Sequence, residues 1–289
     1  SNWDAGMDMY IYGKLGNLIM TKEGINVLMT NLTGKVPPIL QRLDYIRFNG
    51  EAAGYLHDLT LTGLFHTGAG MVKTDVMMSI DEQSMSRTYS GSVASADLDL
   101  GKLLNQEKKF GKVDFNVELK GFNYKNRYPE SYIKGIISSF EYSQYQYENI
   151  MLDGVYKDGG FNGRLSMDDA NGSVQIDGNF NVAKTIPDFN LKASVKNLRP
   201  HDLHLSDKYE NASISLGLTA DFTGKSIDDM NGRISLDSLQ LNAPDEGGCF
   251  LDNLTITAGQ VSGEKELRIN SSFMTAVIRG DYSLSLIHI

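Results

Sequence analysis

Apolar and polar residues alternate along most of this chain, and a period of two places successive side chains on opposite faces of a β-strand. Val113, Phe115, Val117 and Leu119 alternate with Asp114, Asn116, Glu118 and Lys120. Phe189, Leu191, Ala193 and Val195 alternate with Asn190, Lys192, Ser194 and Lys196, and Ile214, Leu216, Leu218, Ala220 and Phe222 alternate mostly with Ser, Thr and Asp. Each such strand has one oily and one wet face. One-sided strands belong to antiparallel sheets, because parallel strands are covered on both faces and read as continuous apolar runs. Turn signals fall between them at Lys157-Asp158-Gly159-Gly160, Asp169-Ala170-Asn171-Gly172, Asp229-Met230-Asn231-Gly232 and Asp245-Glu246-Gly247-Gly248. They predict meanders of hairpins, with Asn171-Gly172 supplying positive φ values. Pro187 and Pro200 read as strand ends. Helix is scarce: Lys22 to Leu32, ending near Gly34, then Pro38 to Leu43, and a turn around Leu100 to Asn105.

The chain also repeats itself at an offset of roughly one hundred residues, the mark of like units stacked side by side. Asn149-Ile150-Met151-Leu152-Asp153-Gly154 returns as Asn253-Leu254-Thr255-Ile256-Thr257-Ala258, and Ile176-Asp177-Gly178-Asn179-Phe180 as Ile278-Arg279-Gly280-Asp281-Tyr282. Arg164-Leu165-Ser166-Met167 matches Glu266-Leu267-Arg268-Ile269, while Leu98 and Leu103 foreshadow Leu198 and Leu203. An upstream echo is read at Asp58-Leu59-Thr60-Leu61-Thr62-Gly63 and Tyr89-Ser90-Gly91-Ser92-Val93. The period suggests three repeats, 1–90 (with short helices in about 22–43), 91–187, and 188–289, cut short at its C-terminal end. No low-complexity linker separates them, so they read as one continuous elongated domain. Strand spacing of ~4.8 Å would stack about twenty to twenty-five strands into a ribbon on the order of 100 Å long.

Composition narrows the function. A formal charge of −9 on 289 residues, without Lys/Arg runs, argues against a nucleic-acid partner and against docking on anionic headgroups. The single cysteine, Cys249, forms no internal disulfide. No stretch reaches the ~20 apolar residues of a membrane span. Both ends are read as cuts, so the chain is expected to be an internal fragment whose membrane anchor lies elsewhere.

Candidate chemistry is thin. His201 and His204 sit three apart with no third ligand nearby in sequence, and solvated loop histidines are expected in place of a metal site. Asp168-Asp169-Ala170-Asn171-Gly172 lacks the ligand spacing of a calcium loop. Gly63, Gly68 and Gly70 fit neither a dinucleotide nor a phosphate loop and read as turn glycines. Cys249, with no flanking His or Lys, reads as a buried inert thiol. Tyr142, Tyr145 and Tyr147 read as an ordinary sheet face. No catalytic set, cofactor or metal is expected.

The alternating strands, the recurring Asn-Leu-x-Leu-x-Gly and Ile-x-Gly-x-Phe/Tyr phrases and the element Leu98-Asp99-Leu100-Gly101-Lys102-Leu103-Leu104 resemble the TamB/AsmA-like translocation and assembly module family of Gram-negative bacteria. That resemblance covers essentially the whole chain. It implies an all-β fold: an elongated, repetitive antiparallel sheet curled into a groove, a β-taco, with a few short helices. It also implies a periplasmic location bridging the inner and outer membranes, with the full-length protein anchored in the inner membrane. The implied function is non-enzymatic transfer of phospholipid along the apolar groove. Its alternative is a structural or chaperone scaffold for outer-membrane protein assembly or secretion, working with a BamA-type barrel partner. Groove-lining positions are expected at Val113, Phe115, Val117, Leu119, Val174, Ile176, Phe180, Phe189, Leu191, Val195, Ile214, Leu216, Leu218 and Phe222. Alternation alone fits a dry, packed core as well as an open groove.

Overall fold

The β-rich reading holds throughout the computed structural model, which describes residues 10–281 apart from 34–35, 37, 56, 82, 84–85, 124–129, 209, 227 and 245–246. The first two residues of the turn signal Asp245-Glu246-Gly247-Gly248 therefore lie outside the described residues. Contacts gather the chain into two compact units, Ser1–Asp153 and Gly154–Ile289. In the first come strands β1 (Tyr10–Thr21), β2 (Tyr45–Tyr55), β3 (Asp58–Thr67), β4 (Gly70–Ile80), β5 (Arg87–Asp99), β6 (Phe110–Asn123), β7 (Glu130–Tyr142) and the start of β8 (Tyr145–Lys157). Helices α1 (Lys22–Thr33) and α2 (Pro38–Gln41) join β1 to β2, and α3 (Leu100–Leu104) joins β5 to β6. The second unit carries β9 (Gly160–Asp169), β10 (Gly172–Asn181), β11 (Asp188–Leu198), β12 (Ser213–Thr223), β13 (Asn231–Ala243), β14 (Gly247–Val261), β15 (Glu264–Ser271) and β16 (Thr275–Arg279).

Hydrogen bonding follows chain order from β1 to β16, and among the described residues no ladder joins the first strand to the last, so the antiparallel sheet is unclosed. Sixteen strands among the described residues are fewer than the twenty to twenty-five expected. The strands are longer than the short repeats suggested, up to 15 residues in β14. The boundary expected at 90/91 falls inside β5, and that at 187/188 at the start of β11.

Two-residue hairpins set much of the register. Asp158-Gly159 (φ 52° and 78°) and Ser262-Gly263 (φ 55° and 87°) have both central residues at positive φ, as does Ser143-Gln144 (φ 50° and 65°) without any glycine. This is the type I′ geometry whose twist matches the flanking strands. At Asp169–Gly172 the positive φ falls on Gly172, while the Asp169 carboxylate accepts from the Asn171 N–H at 2.9 Å. The segment Asp229–Gly232 is not a hairpin turn of its own: it closes a longer loop, with β13 already begun at Asn231.

The repeat is structural. Asn149–Gly154 (β8) and Asn253–Ala258 (β14) lie six strands apart in chain order, as do Arg164–Met167 (β9) and Glu266–Ile269 (β15). An even step preserves strand direction, so these segments are equivalent. The upstream echoes fail that test. Asp58–Gly63 and Tyr89–Val93 lie in β3 and β5, five strands before β8 and β10, and an odd step in an antiparallel order reverses direction. The true upstream equivalent is a bulge. In β5 the register with β6 shifts between Ser95 and Leu98 at Asp97 (φ 56°), and in β11 the register with β12 shifts between Val195 and Leu198 at Asn197 (φ 47°). Asp and Asn tolerate this left-handed conformation, and each bulge bends its strand and adds twist, so each unit's sheet is curled.

Candidate functional site

Within the first unit, ladder registers carry one apolar face across the strands. Phe48 lies opposite Phe65, Phe65 opposite Val72, and Val72 opposite Ser95, which pairs with Phe115 and so with Ile137. The next rows run through Val93, Val117 and Gly135, and through Ala52, Leu61, Val76, Gly91, Leu119 and Ile133. Val113, Phe115, Val117 and Leu119 thus share one face, while Asp114, Asn116, Glu118 and Lys120 take the other.

Gly63 is not a turn glycine. It sits in mid-strand opposite Gly50, and an added Cβ would come within 2.6 Å of the Phe48 ring. The Phe48 ring therefore lies across the glycine pair. Gly68 does lie in the β3–β4 turn, and Gly70 opens β4 with φ 129°.

One end of this face is roofed. Ile25 of α1, Leu43 and Leu103 of α3 form a buried cluster with Ile46, Ala69, Leu98 and Val113. Polar bonds tie the roof together: the Arg42 guanidinium donates to the Leu103 carbonyl, and the Lys102 ammonium donates to the Asp44 carboxylate and the Gly68 carbonyl, both at 3.1 Å. Away from the roof the lining is only half-buried at Leu61, Val76, Val93, Val117, Leu119 and Ile133. Polar side chains on this face mostly turn back onto protein. Ser95 donates to the Val113 carbonyl at 3.0 Å, and Ser131 pairs with the Tyr89 hydroxyl. What remains toward solvent is hydrocarbon.

Rows in the second unit run the same way. Phe161, Phe180, Phe189 and Phe222 are consecutive ladder partners, with Phe189 and Phe222 stacked at 4.7 Å between ring centroids. Leu165, Ile176, Ala193 and Leu218 make a second row, and Met167, Val174, Val195 and Leu216 a third. Leu191 pairs with Gly178, and Ile214 with Leu198. Every lining position expected from this half of the sequence lies on that one face, and each of them is half-buried. Two places on or beside the sheet are sealed: Leu203, in the loop after β11, and Leu267, clustered with Met230 and Ala258, each have 0% exposure.

Cys249 is exposed, not buried. It pairs with Leu241, but the β14–β15 ladder covers only Leu254 to Val261, so residues 247–253 of β14 extend past their neighbour. Phe250, 67% exposed, shares that extension. The length of β15, not the local sequence, decides this exposure.

The remaining chemistry is structural. His201 sits 3.7 Å from Asp202 and 4.0 Å from Glu210, and His204 is exposed. No group of metal-ligating side chains occurs among the described residues. Tyr147 is buried in an aromatic cluster with Phe140, Tyr142 and Tyr145. On the polar face the nearly buried Glu266 is bracketed by Arg279 at 2.8 Å and Arg268 at 3.0 Å, and these bonds hold its carboxyl below the ordinary range. Among the described residues no helix is long and apolar enough to cross a membrane.

Fold and site define a class: an all-β chain whose unclosed antiparallel sheet presents, in each unit, a broad hydrocarbon face left half open. Set against known proteins, the chain matches no family model, no curated protein and no solved structure.

Proposed function

We propose that the chain is a non-enzymatic lipid conduit, a segment of a periplasmic protein of the TamB/AsmA-like kind that carries phospholipid between the inner and outer membranes. The observation that supports this reading is the half-open hydrocarbon face. A dry core would seal Val117, Leu119, Ile176, Leu216 and Leu218, yet all are half-buried. Acyl chains laid on such a face would remove it from water, at ~0.8 kcal/mol per methylene, so about fourteen methylenes contribute roughly 11 kcal/mol at most. Catalysis has no place in this reading.

Native mass spectrometry of the purified chain tests it: phospholipid should co-purify, and a photo-crosslinker at Val117 or Leu218 should capture lipid. Leu216→Asp gives a second arm. In an open groove solvent reaches the new carboxylate, so the variant keeps its β circular dichroism and loses lipid. Unfolding of that variant, with a lipid-free wild type, would sink the conduit.

The β14 extension favours a second reading, a scaffold for outer-membrane protein assembly or secretion with a BamA-type barrel partner. Residues 247–253 carry an edge that β15 does not cover, and open edges invite strand addition. Under that reading a crosslinker at Asp252 captures polypeptide while those at Val117 and Leu218 capture nothing.

A further inference from the structure

The geometry points to a second copy of this chain as the partner of the open β14 edge: residues 247–253 of two copies pair antiparallel about a two-fold axis at Phe250. This inference stands apart from the lipid reading and competes with a barrel strand for the same edge.

On one side residues 247–253 run along β13, from Ala243 opposite Gly247 to Asp237 opposite Asn253. On the other side the β15 ladder begins only at Leu254, and among the described residues no backbone hydrogen bond reaches 247–253 from there. The chain turns away from this opening. After Ser271, opposite Leu254, a short turn leads into β16, which runs back along β15 until the Gly280 N–H donates to the Lys265 carbonyl at 2.9 Å, at the far end of that strand. The free stretch carries none of the features that protect an edge: it has no lysine and no proline, and its one charge is Asp252. Gly247 and Gly248 open it further. A Cβ added at Gly247 would meet nothing within 4 Å, and glycine in a strand lets another backbone approach closely.

A second copy is selected because the stretch complements itself. An occupant strand has to stop where β15 begins to cover Leu254. The same stretch of another copy does so: β14 starts at Gly247, and antiparallel pairing about Phe250 sets each Gly247 opposite the other copy's Asn253. Within that register Asp252 stands opposite Gly248, so no like charges meet. Cys249 stands opposite Leu251, on the face that their β13 partners Leu241 and Leu239 share. Phe250, 67% exposed beside Gln240, meets its own symmetry mate and gains an aromatic cross-strand pair. Phe273 and Met274, both exposed in the turn after Ser271, border one end of the contact. Pairing of this kind is isologous, so it closes at two copies and leaves no free β14 edge.

Sedimentation of the purified chain in reductant tests the pairing. Wild type should dimerise with a dissociation constant on the order of 10 μM, in keeping with a contact below the standard interface size. Phe250→Lys sets two like charges directly opposite each other at an exposed position; it should keep its β circular dichroism and weaken the dimer roughly tenfold or more. Oxidative cross-linking in a Cys249→Ser background reads the register. Phe250→Cys should cross-link to itself, whereas Asp252→Cys, whose two thiols stand roughly 14 Å apart along the strands, should cross-link only when mixed with Gly248→Cys. A monomer at every concentration, a dimer that Phe250→Lys leaves intact, or self-cross-linking of Asp252→Cys as fast as that of Phe250→Cys each overturns the proposal. A synthetic peptide with the alternating sequence of a membrane β-strand is the competing probe. If it binds a chain that does not self-associate, and Phe250→Lys abolishes that binding, the edge belongs to another polypeptide and the proposal falls.

Discussion

The segment after β5 and the segment after β11 are two versions of one device. Each begins at a left-handed bulge, Asp97 or Asn197, continues through a leucine, Leu98 or Leu198, and then buries another leucine five residues on, Leu103 or Leu203. The first version is a capped helix. The Asp99 carboxylate accepts from the Lys102 N–H at 2.8 Å, Asn105 closes the end at φ 57°, and the Gln106 N–H returns to the Gly101 carbonyl at 2.9 Å. The second is one residue tighter: His204 takes the left-handed place at φ 55°, and the Leu205 N–H returns to the Pro200 carbonyl at 2.8 Å. Arg199 stands where Asp99 caps, and Pro200 follows it, where a missing N–H costs nothing. The same fold position is thus met either by side-chain capping plus a helical roof or by a proline-set turn. The buried leucine, not the helix, is the constant part.

If that is so, Leu203→Ala and Leu103→Ala should be the most damaging single changes. Deleting buried leucine atoms costs about 2–5 kcal/mol, depending on how far the site collapses. Leu203, at 0% exposure, should cost about 3 kcal/mol, and Leu103, at 8%, somewhat less. Denaturant unfolding measures both, and amide exchange at Leu203 and Leu205 should rise only in the Leu203 variant. A Leu203 variant as stable as wild type would break the equivalence.

Much of this was legible in the sequence, and what was not depends on distant partners. Alternation assigned the faces because side-chain direction is a local property of a strand; Val113 to Leu119 and Ile214 to Phe222 needed only their own neighbours. The α3 segment was readable from Leu100 to Asn105 for the same reason. Gly63 was misread because its role depends on Gly50 and Phe48 in another strand. Cys249 was misread because its exposure depends on where β15 stops. The upstream echo misled because a phrase of alternating residues reads alike in both directions, and only strand parity tells them apart.

Capping sharpens the comparison at a smaller scale. Asp99→Ala should cost about 1 kcal/mol by leaving the Lys102 N–H without its carboxylate. Arg199→Ala should cost about 0.5 kcal/mol or less, since it removes only a surface pair with Asp202 at 3.7 Å. Thermal unfolding of the two variants checks the order. Equal losses would mean that the second turn depends on its charge after all.

The bulge itself offers the finest test. In the first unit the bulged Asp97 N–H donates to the Asp114 carboxylate, one residue beyond Val113 in β6. In the second the Asn197 N–H donates to the Ser215 hydroxyl at 2.8 Å, one residue beyond Ile214 in β12. Asp114 and Ser215 are therefore the same latch in two chemistries. Ser215 faces away from the lining and holds the bulge. Ser215→Asp should rebuild the first unit's latch, keeping stability within about 0.5 kcal/mol of wild type. Ser215→Ala, which leaves the bulged N–H to water, should lose about 0.5–1 kcal/mol. The readout is the amide exchange rate of Asn197: slow in wild type and in Ser215→Asp, faster in Ser215→Ala. Were Ser215→Asp to speed exchange as much as Ser215→Ala, the two bulges would share a shape without sharing a latch, and the equivalence would reach only as far as the leucines.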